Sequence, residues 1–460
     1  MGVPINAAPK RLILIGCFTL ALALFAPGPR GVAHAFAAHA DPGQAAPQGA
    51  MNQQSPPPDR YTLTPAQRAR AVAYSHTRYV IYFLGTALAL AVYLFLWRAK
   101  VVVAYRHWAR RASSRHFVQC LIFVPLFFVT ASLIEFPLDY YSGFALEKRF
   151  GFSNQTFLSW LGDWGKALVI TVVSGVFVVW ILYSVIRRSP RRWWFYFWLV
   201  TIPLTLGMIL IEPLVLDPLF YKFTPLEQTH PSLTARIELM LHRAGLNIPE
   251  SRILEMDAST KTNAVNAYVN GIGSSKRVVV WDTTLRVMNE DETLLVLGHE
   301  TGHYVLGHVL KGFVEFEVGA FFALWAGFAI LERVIKRTNS GMNLEGVGDL
   351  ASLPIMLFVL TLLTFLSTPV YCALSRRVEH QADQFGLEVA YGVVADPNAA
   401  EARSLQILGE QDLEDPDPAA FIKFWLYTHP PLDERIRFAT SYKPWAEGKP
   451  MELVHSKKIE

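Results

Sequence analysis

Long apolar segments constrain the fold of this chain more than any other feature of its sequence. Each has about the length that an α-helix needs to cross the hydrocarbon core of a bilayer, roughly 20 residues. Four lie in the first half of the chain and two in the second, at residues 79–97, 117–134, 167–186, 193–211, 313–335 and 351–375. Because backbone polar groups inside a bilayer must be satisfied within the segment, these segments predict helices. The sequence therefore predicts a mainly α-helical transmembrane bundle.

The N-terminal region has the features of a signal peptide. The basic pair Lys10–Arg11 precedes a shorter apolar run, residues 12–26, and small-residue sites follow it. This pattern is typical of a cleaved signal, but a first transmembrane helix that stays in place fits residues 1–40 equally well. The bundle thus has seven helices, or six after signal removal. Residues 41–60 are rich in Pro, Gln, Ala and Gly and predict a disordered linker.

Composition limits the class of protein and its partners. Hydrophobic residues make up 52% of the chain and charged residues only 17%, whereas soluble domains are about 25% charged. The composition therefore predicts an integral membrane protein, with the lipid bilayer as one of its partners. Its net charge of +4 comes with arginines clustered between apolar runs, which indicates membrane topology rather than binding to nucleic acid. We expect no nucleic-acid partner.

The membrane segments divide the rest of the chain. Four transmembrane helices occupy residues 61–216, and a transmembrane hairpin occupies residues 313–375. The water-exposed residues then form two blocks, 217–312 and 376–460. We expect both blocks to lie on the same face of the membrane if they form one domain.

Basic loops predict which face this is. Six basic residues lie between positions 98 and 115, four between 187 and 192, and three more near the turn of the late hairpin. Short loops rich in Lys and Arg stay on the cytoplasmic side. The sequence therefore predicts a multi-pass protein, as in a bacterial inner membrane, with both water-exposed blocks on the extracytoplasmic side.

A metal-binding motif stands near the end of the first block. Residues 291–311 have helical periodicity and contain His299-Glu300-x-x-His303. Two histidines four residues apart lie on one helix face, where both can bind one zinc ion. Zinc would polarise a water molecule, and Glu300 beside it could take the proton as general base. This pattern predicts one catalytic Zn²⁺ per chain and hydrolysis of peptide bonds.

A catalytic zinc site needs a third protein ligand. The best candidate is Glu379, in a predicted helical segment directly after the last apolar run. Asp383 lies one turn further on, and an outer carboxylate of this kind commonly orients a zinc-bound imidazole. His308 and His380 are close in sequence, but we interpret both as packed or solvated histidines.

These motifs together resemble those of the type I CAAX prenyl endoprotease family. The His-Glu-x-x-His helix is followed, after a hairpin, by Ser-Arg-x-x-Glu-x-x-x-Asp at residues 375–383, and the strings at 147–156 and 217–226 are also similar to the family. The similarity covers roughly residues 61–440. It implies an integral-membrane gluzincin with a zincin-like domain, in which His299, His303 and Glu379 bind zinc and Glu300 is the general base. The resemblance to the eukaryotic members also implies a zinc site that faces the cytosol, which is the opposite side from the one that the basic loops predict.

The resemblance implies further features around the site. Asn266 and Ala267 belong to a predicted β-hairpin around Asn270–Gly271. One edge of this hairpin would bind the substrate, which would pair with it as an additional strand. His429, in a His-Pro-Pro segment, would stabilise the oxyanion, and Arg435 would brace the site through a carboxylate.

The family's membrane helices also enclose a water-filled chamber with the zinc at one end. Three glutamates near span ends could face such a chamber or lie at the membrane interface; they are Glu135, Glu315 and Glu317.

Three functional hypotheses follow from the sequence. The first is a membrane-embedded zinc endopeptidase of the CAAX type, acting on a peptide or protein substrate that the family resemblance implies is prenylated. The second is the same chemistry used for quality control or processing of membrane and exported proteins, which an extracytoplasmic site would favour. The third is a non-catalytic transporter or scaffold with structural zinc, which the presence of Glu300 disfavours. The cleavage position and the oligomeric state stay open.

Overall fold

The computed structural model describes residues 57–342 and 344–454. The predicted signal peptide or first helix and most of the predicted linker lie outside these residues. Thirteen helices of at least six residues are labelled here: α1 (Pro65–Arg98), α2 (Val101–Ala112), α3 (His116–Arg149), α4 (Phe157–Arg188), α5 (Trp193–Phe220), α6 (Pro231–Arg243), α7 (Asp282–Val287), α8 (Glu290–Val305), α9 (His308–Met342), α10 (Leu353–Ala390), α11 (Pro397–Gln411), α12 (Ala420–Leu426) and α13 (Leu432–Ser441).

Six of these helices are long and apolar enough to cross a membrane: α1, α3, α4, α5, α9 and α10. They coincide with the six apolar segments, so the predicted helical bundle is confirmed. Local sequence sets where helices begin. The Thr64 side chain and Gln67 form a capping box at the start of α1, and Asn289 and Glu292 do the same for α8, because both pairs satisfy backbone N–H groups that a helix start leaves open.

The bundle is held by apolar packing among its helices. Aromatic side chains such as Tyr93 of α1, Phe127 of α3 and Tyr183 of α4 are fully buried in one cluster. Large apolar side chains on the outside, Val80 and Val370 among them, are more than 60% exposed. Exposed apolar surface on helices of this length is the surface that faces lipid.

A four-stranded sheet belongs to the water-exposed part of the chain. Its strands are β1 (Phe223–Pro225), β2 (Ile253–Met256), β3 (Ala267–Asn270) and β4 (Arg277–Trp281), in the order β1-β2-β4-β3. The pairs β1–β2 and β3–β4 are antiparallel, whereas β2–β4 is parallel. This confirms the expectation of a small hairpin and sheet, and it leaves β3 at an edge.

The β3–β4 hairpin has a longer connection than the predicted turn around Asn270–Gly271. Asn270 pairs with Arg277, so six residues separate the strands. Gly271 has a φ of +87°, and a Cβ atom there would lie 2.2 Å from the carbonyl oxygen of Ser275. The bend therefore requires glycine, both for its conformation and for space.

The two water-exposed blocks form one domain. Leu294 and Leu297 of α8 share a buried cluster with Phe385 of α10 and Ile407 of α11. Helix α10 is continuous from the membrane hairpin into this domain, so it crosses the predicted boundary after residue 375. Helix α12 also lies against the membrane helices, because the ring of Trp425 is 4.9 Å from that of Phe365 in α10.

The basic loops gather at the end of the bundle away from this domain. Arg106 of α2 forms a buried ion pair with Asp349, just before α10, and Arg187 at the end of α4 donates to the carbonyl of Gly348 at 3.4 Å. Glu379 lies 26 positions after Leu353 in α10, which corresponds to about 39 Å along the helix. The basic loops and the predicted metal ligands therefore lie on opposite sides of a layer as thick as a bilayer.

The three glutamates near span ends have different environments. Glu135 is fully buried, and Glu317 is 6% exposed and accepts a hydrogen bond from Thr201 at 2.9 Å. Glu315 is exposed. Two of the three thus point into the bundle, as intramembrane carboxyl groups usually do. The chamber that the family resemblance implies stays a prediction.

Candidate metal centre

The two histidines of the motif lie together on α8. The Nε2 atoms of His299 and His303 are 3.1 Å apart, as expected for residues one turn apart on one helix face. His299 is 3% exposed, and His303 is half-buried. Glu300 follows His299 on the same helix and is half-buried. The local helix therefore presents two imidazole nitrogens to one point.

Glu379 meets them from α10, although it lies about 80 residues away in sequence. Its carboxyl oxygens are 3.3 Å from His299 Nε2 and 3.4 Å from His303 Nε2, and its side chain is fully buried. With zinc–ligand bonds of 2.0–2.2 Å, tetrahedral donors lie about 3.3–3.6 Å apart. The contacts of 3.3 and 3.4 Å, which involve different oxygens of the carboxylate, match this spacing, and the 3.1 Å between the imidazole nitrogens is slightly shorter. The three residues therefore offer the ligand types of a tetrahedral metal site at distances close to those it needs.

His429 lies at the same point. Its Nε2 is 2.7 Å from a Glu379 oxygen, and the residue is 5% exposed. Donor atoms of His299, Glu379 and His429 all lie within 4.8 Å of one another, so this set also fits a metal ion by distance. The distance of 2.7 Å is, however, that of a hydrogen bond between an imidazole and a carboxylate. We therefore keep His429 apart from the first three donors.

Helix crossing at glycine brings α8 and α10 this close. A Cβ on Gly386 would lie 3.0 Å from the backbone nitrogen of His299, and one on Gly298 would lie 3.2 Å from the Cα of Gly386. These contacts are with backbone, which cannot rotate away as a side chain can. The two glycines therefore allow the approach that places Glu379 against the histidines.

Asp383 and Arg435 support His299 from behind. Asp383 Oδ1 is 2.7 Å from His299 Nδ1. Arg435 of α13 donates to both oxygens of Asp383, with 2.8 Å between Nε and Oδ2. Arg435 is 3% exposed, and this burial lowers the pKa of its guanidinium to about 9. The carboxylate of Asp383 thus has two tasks, because it orients an imidazole and neutralises a buried cation.

A second buried carboxyl group lies near this pair. Glu401 of α11 is 4% exposed. Burial and the negative charge of Asp383 raise its pKa from 4.5 to about 8. Nothing in the sequence around Glu401 predicted this, because the effect depends on packing between α10 and α11.

His308 is packed, which is one of its two sequence interpretations, and it also contacts a histidine of the motif. It is buried, its Nδ1 is 3.0 Å from His303 Nδ1, and its Nε2 is 3.1 Å from Gln381 Oε1. His380 is exposed and lies against the ring of Phe438 at 4.4 Å. His308 is therefore part of the site, and His380 is packed at its surface. The one indication in the sequence that His308 belongs to the site was its position shortly after the His-Glu-x-x-His motif.

Asn266 and Ala267 lie where the edge of the sheet meets α8. Both are buried, and Ala267 begins strand β3. Thr284 holds Asn266 in place, since it accepts from the Asn266 backbone N–H at 2.8 Å and donates to the Asn266 carbonyl at 2.7 Å. Strand β3 contacts α8. The edge strand and the metal ligands are therefore neighbours.

The string at residues 147–156 contacts the chain just before this edge strand. Ser153 forms a β-bridge with Thr262, and the side chain of Asn154 donates to the carbonyl of Ser259 at 2.7 Å. Lys261 forms an ion pair with Asp163 of α4 at 2.8 Å. This loop between membrane helices thus clamps the segment that leads into β3, a role that sequence reasoning did not assign to it.

Comparisons with known proteins agree with this architecture. Residues 227–443 match the model of peptidase family M48, and residues 49–222 match a model described as the CAAX prenyl protease N-terminal region with five membrane helices. Within the described part of that range, four helices are long enough to span and α2 is shorter.

Two relatives and one solved structure give the extent of the similarity. The metalloprotease YhfN of Bacillus subtilis is 34% identical over 381 residues, which are 82% of this chain and 86% of that protein. CAAX prenyl protease 1 of Saccharomyces cerevisiae is 28% identical over 334 residues, 69% of this chain and 71% of that protein. The crystal structure of S. mikatae Ste24p matches with a TM-score of 0.71 and 23% identity, covering 94% of this chain and 98% of that one.

The solved structure supports the fold alone, whereas the matches to the family models and relatives extend to the protein class. The matches span both the membrane helices and the domain that carries the His-Glu-x-x-His helix. The chain therefore belongs to peptidase family M48 and is a membrane-embedded metalloprotease of the CAAX prenyl protease type.

Proposed function

We propose that the metal is one zinc ion per chain, held by His299, His303 and Glu379. The observation that supports this most is their convergence: the two Nε2 atoms are 3.1 Å apart, and each lies 3.3–3.4 Å from one oxygen of the Glu379 carboxylate. Two imidazoles and a carboxylate are ligands that zinc accepts in catalytic sites. When bound, zinc supplies a Lewis acid that polarises a peptide carbonyl and lowers the pKa of water.

The remaining residues of the site divide the work of hydrolysis. Glu300, on the same helix as the histidines, accepts the proton of the attacking water as general base. His429 donates a hydrogen bond to the oxygen that gains charge during attack, a contribution worth about 3 kcal/mol of barrier in other enzymes. Asp383 and Arg435 keep His299 oriented, as their contacts with its Nδ1 side suggest.

Substrate would bind along strand β3. An extended peptide can add to an exposed sheet edge through main-chain hydrogen bonds, which hold it whatever its sequence. Strand β3 is an edge strand of the sheet, begins at Ala267 directly after Asn266, and contacts the helix that carries His299 and His303. We propose that these two residues align the scissile bond, and that the substrate is a peptide with a prenylated C-terminal cysteine, as the relatives' designation as CAAX prenyl proteases suggests.

Hydrolysis of matched peptides tests this function. Purified full-length protein is given a farnesylated CAAX peptide and its unprenylated counterpart, each with and without a zinc chelator. We expect cleavage of the farnesylated peptide, loss of that cleavage with chelator or in Glu300→Gln, and normal cleavage in Glu315→Gln, a control at an exposed glutamate. Equal cleavage of both peptides would remove prenylation from the proposal and favour a processing or quality-control substrate. Cleavage that survives Glu300→Gln would contradict the proposed base.

We further propose that the protein resides in a bacterial inner membrane with the metal site on the extracytoplasmic side. The supporting observation is that the basic loops lie together at the end of the bundle opposite the site, and such loops favour the cytoplasm. Reporter fusions at the C-terminus, one active only in the cytoplasm and one only outside it, test this. Activity of the cytoplasmic reporter would reverse the orientation and favour prenylated proteins of the cytosol as substrates. Activity of the extracytoplasmic reporter would support the orientation proposed here and favour a processing or quality-control substrate over a prenylated one.

A further inference from the structure

His303 and His308 make a contact that the proposed function does not use. His303 lies in the last turn of α8, which ends at Val305, and His308 is the first residue of α9. Their Nδ1 atoms are 3.0 Å apart, and His308 Nε2 is 3.1 Å from the side-chain oxygen of Gln381 in α10. The three side chains form a row that leads away from the metal-facing nitrogen of His303.

The protons in this row can be assigned from the chemistry of the groups. A neutral imidazole carries one N–H, so one ring nitrogen donates and the other accepts. The Gln381 oxygen can only accept, so His308 carries its proton on Nε2 and accepts at Nδ1. His303 must then carry its proton on Nδ1, so that its Nε2 has the lone pair that a metal needs.

The opposite assignment fails. If Gln381 were turned to present its amide N–H groups, His308 would donate from Nδ1 and His303 would accept there. His303 would then carry its proton on Nε2, the atom that lies 3.1 Å from His299 Nε2 and 3.4 Å from Glu379. That tautomer cannot bind a metal through Nε2. His303 can therefore bind a metal only if the hydrogen bonds are donated from His303 to His308 and from His308 to Gln381.

We propose that His308 and Gln381 are positioning residues that hold His303 in its metal-binding tautomer and orientation. This inference rests on the proposed zinc site. It gives the two ligand histidines different supports, since His299 is backed by the charged Asp383–Arg435 pair and His303 by two neutral side chains. A neutral acceptor forms a weaker hydrogen bond than a carboxylate, so the His308 support contributes less to metal affinity than Asp383 does.

Zinc affinity of the purified full-length protein, measured by competition with a chromophoric chelator, tests the proposal without relying on catalysis. Loss of an outer partner of a metal-bound histidine typically weakens binding by about 10- to 100-fold, and we expect His308→Ala to fall near the lower end, about tenfold. His308→Asn should recover part of the affinity, because its amide oxygen can occupy the position of Nδ1. His380→Ala, at the exposed histidine beside Glu379, is the matched control and should bind as wild type.

Two further measurements keep the outcome unambiguous. Gln381→Leu alters an exposed side chain, so it tests the row even if His308→Ala does not fold, and it should also weaken binding. The visible spectrum of the Co²⁺-loaded protein should change in His308→Ala, since it reports ligand geometry. Wild-type zinc affinity in both His308→Ala and Gln381→Leu would overturn this inference and leave the zinc site intact. A wild-type protein that binds no zinc would overturn the proposed function and this inference together.

Discussion

Replacing Asp383 with asparagine tests the support of the metal site most directly. The carboxylate accepts hydrogen bonds on both oxygens, from His299 Nδ1 at 2.7 Å and from two nitrogens of Arg435. An amide of the same shape has only one accepting oxygen, so its NH₂ group must face a donor. The substitution also removes the negative charge opposite the guanidinium of Arg435, a residue that is only 3% exposed.

Two losses of different kind follow from Asp383→Asn. A buried charge that loses its partner costs about 3–5 kcal/mol of folding free energy, which lowers the melting temperature of a domain of this size by on the order of 10 °C. Poorer orientation of His299 weakens zinc binding by about 10- to 100-fold. The loss of stability arises from the unpaired charge of Arg435, and the loss of zinc affinity arises from the poorer orientation of His299.

A double variant separates these losses. Asp383→Asn combined with Arg435→Gln removes the unpaired charge, so it should recover most of the melting temperature while zinc affinity stays low. Thermal unfolding in detergent and chelator competition measure the two quantities on the same samples. The reasoning is wrong if the double variant melts no higher than Asp383→Asn, or if Asp383→Asn binds zinc as tightly as wild type.

Three other variants have definite expected outcomes. Glu379→Ala should lose both zinc and hydrolysis, and full zinc by metal analysis would contradict this ligand set. Gly386→Ala gains about 1 kcal/mol of stability from helix propensity but loses about 1–3 kcal/mol because the new Cβ overpacks against the backbone of α8. We therefore expect a lower melting temperature and a lower zinc affinity. Gly319→Ala is the control, because a Cβ atom at residue 319 has no atom within 4 Å and should cause neither loss. Because the pKa of Glu401 is raised from 4.5 to about 8, the folded state binds the extra proton and wild-type stability falls as pH rises between these values. Glu401→Gln should therefore have a higher melting temperature than wild type at about pH 9 and the same melting temperature at about pH 4. A difference in melting temperature that does not depend on pH would refute this.

Sequence alone predicted the features that depend on local pattern. The six candidate spans follow from length and hydropathy, and the helix of the His-Glu-x-x-His motif follows from its periodicity and from two histidines at helical spacing. The β3–β4 hairpin follows from alternating strands around Asn270–Gly271. Each of these signals is confined to about 25 residues, so no knowledge of the tertiary fold is needed to interpret them.

Features that depend on contacts between distant segments could not be predicted in the same way. Gly298 and Gly386 are ordinary helix glycines in sequence, and only the crossing of α8 and α10 gives them a role. His308 was interpreted as packed or solvated, and its contacts could not be predicted because His303 and Gln381 belong to two different helices. The buried charge of Arg435 and the raised pKa of Glu401 also arise from packing of α10, α11 and α13.

Helix α10 explains why the membrane bundle and the metal site form one unit. Its first half is buried among membrane helices, where Leu353, Met356 and Leu357 are almost completely enclosed. Its second half carries Glu379 and Asp383, and the helix is continuous over 38 residues, with Pro369 inside it. The histidines of α8 belong to the water-exposed domain, but the carboxylate that joins them is fixed from within the bundle. The donor set of the metal site is therefore complete only when both parts are folded against each other.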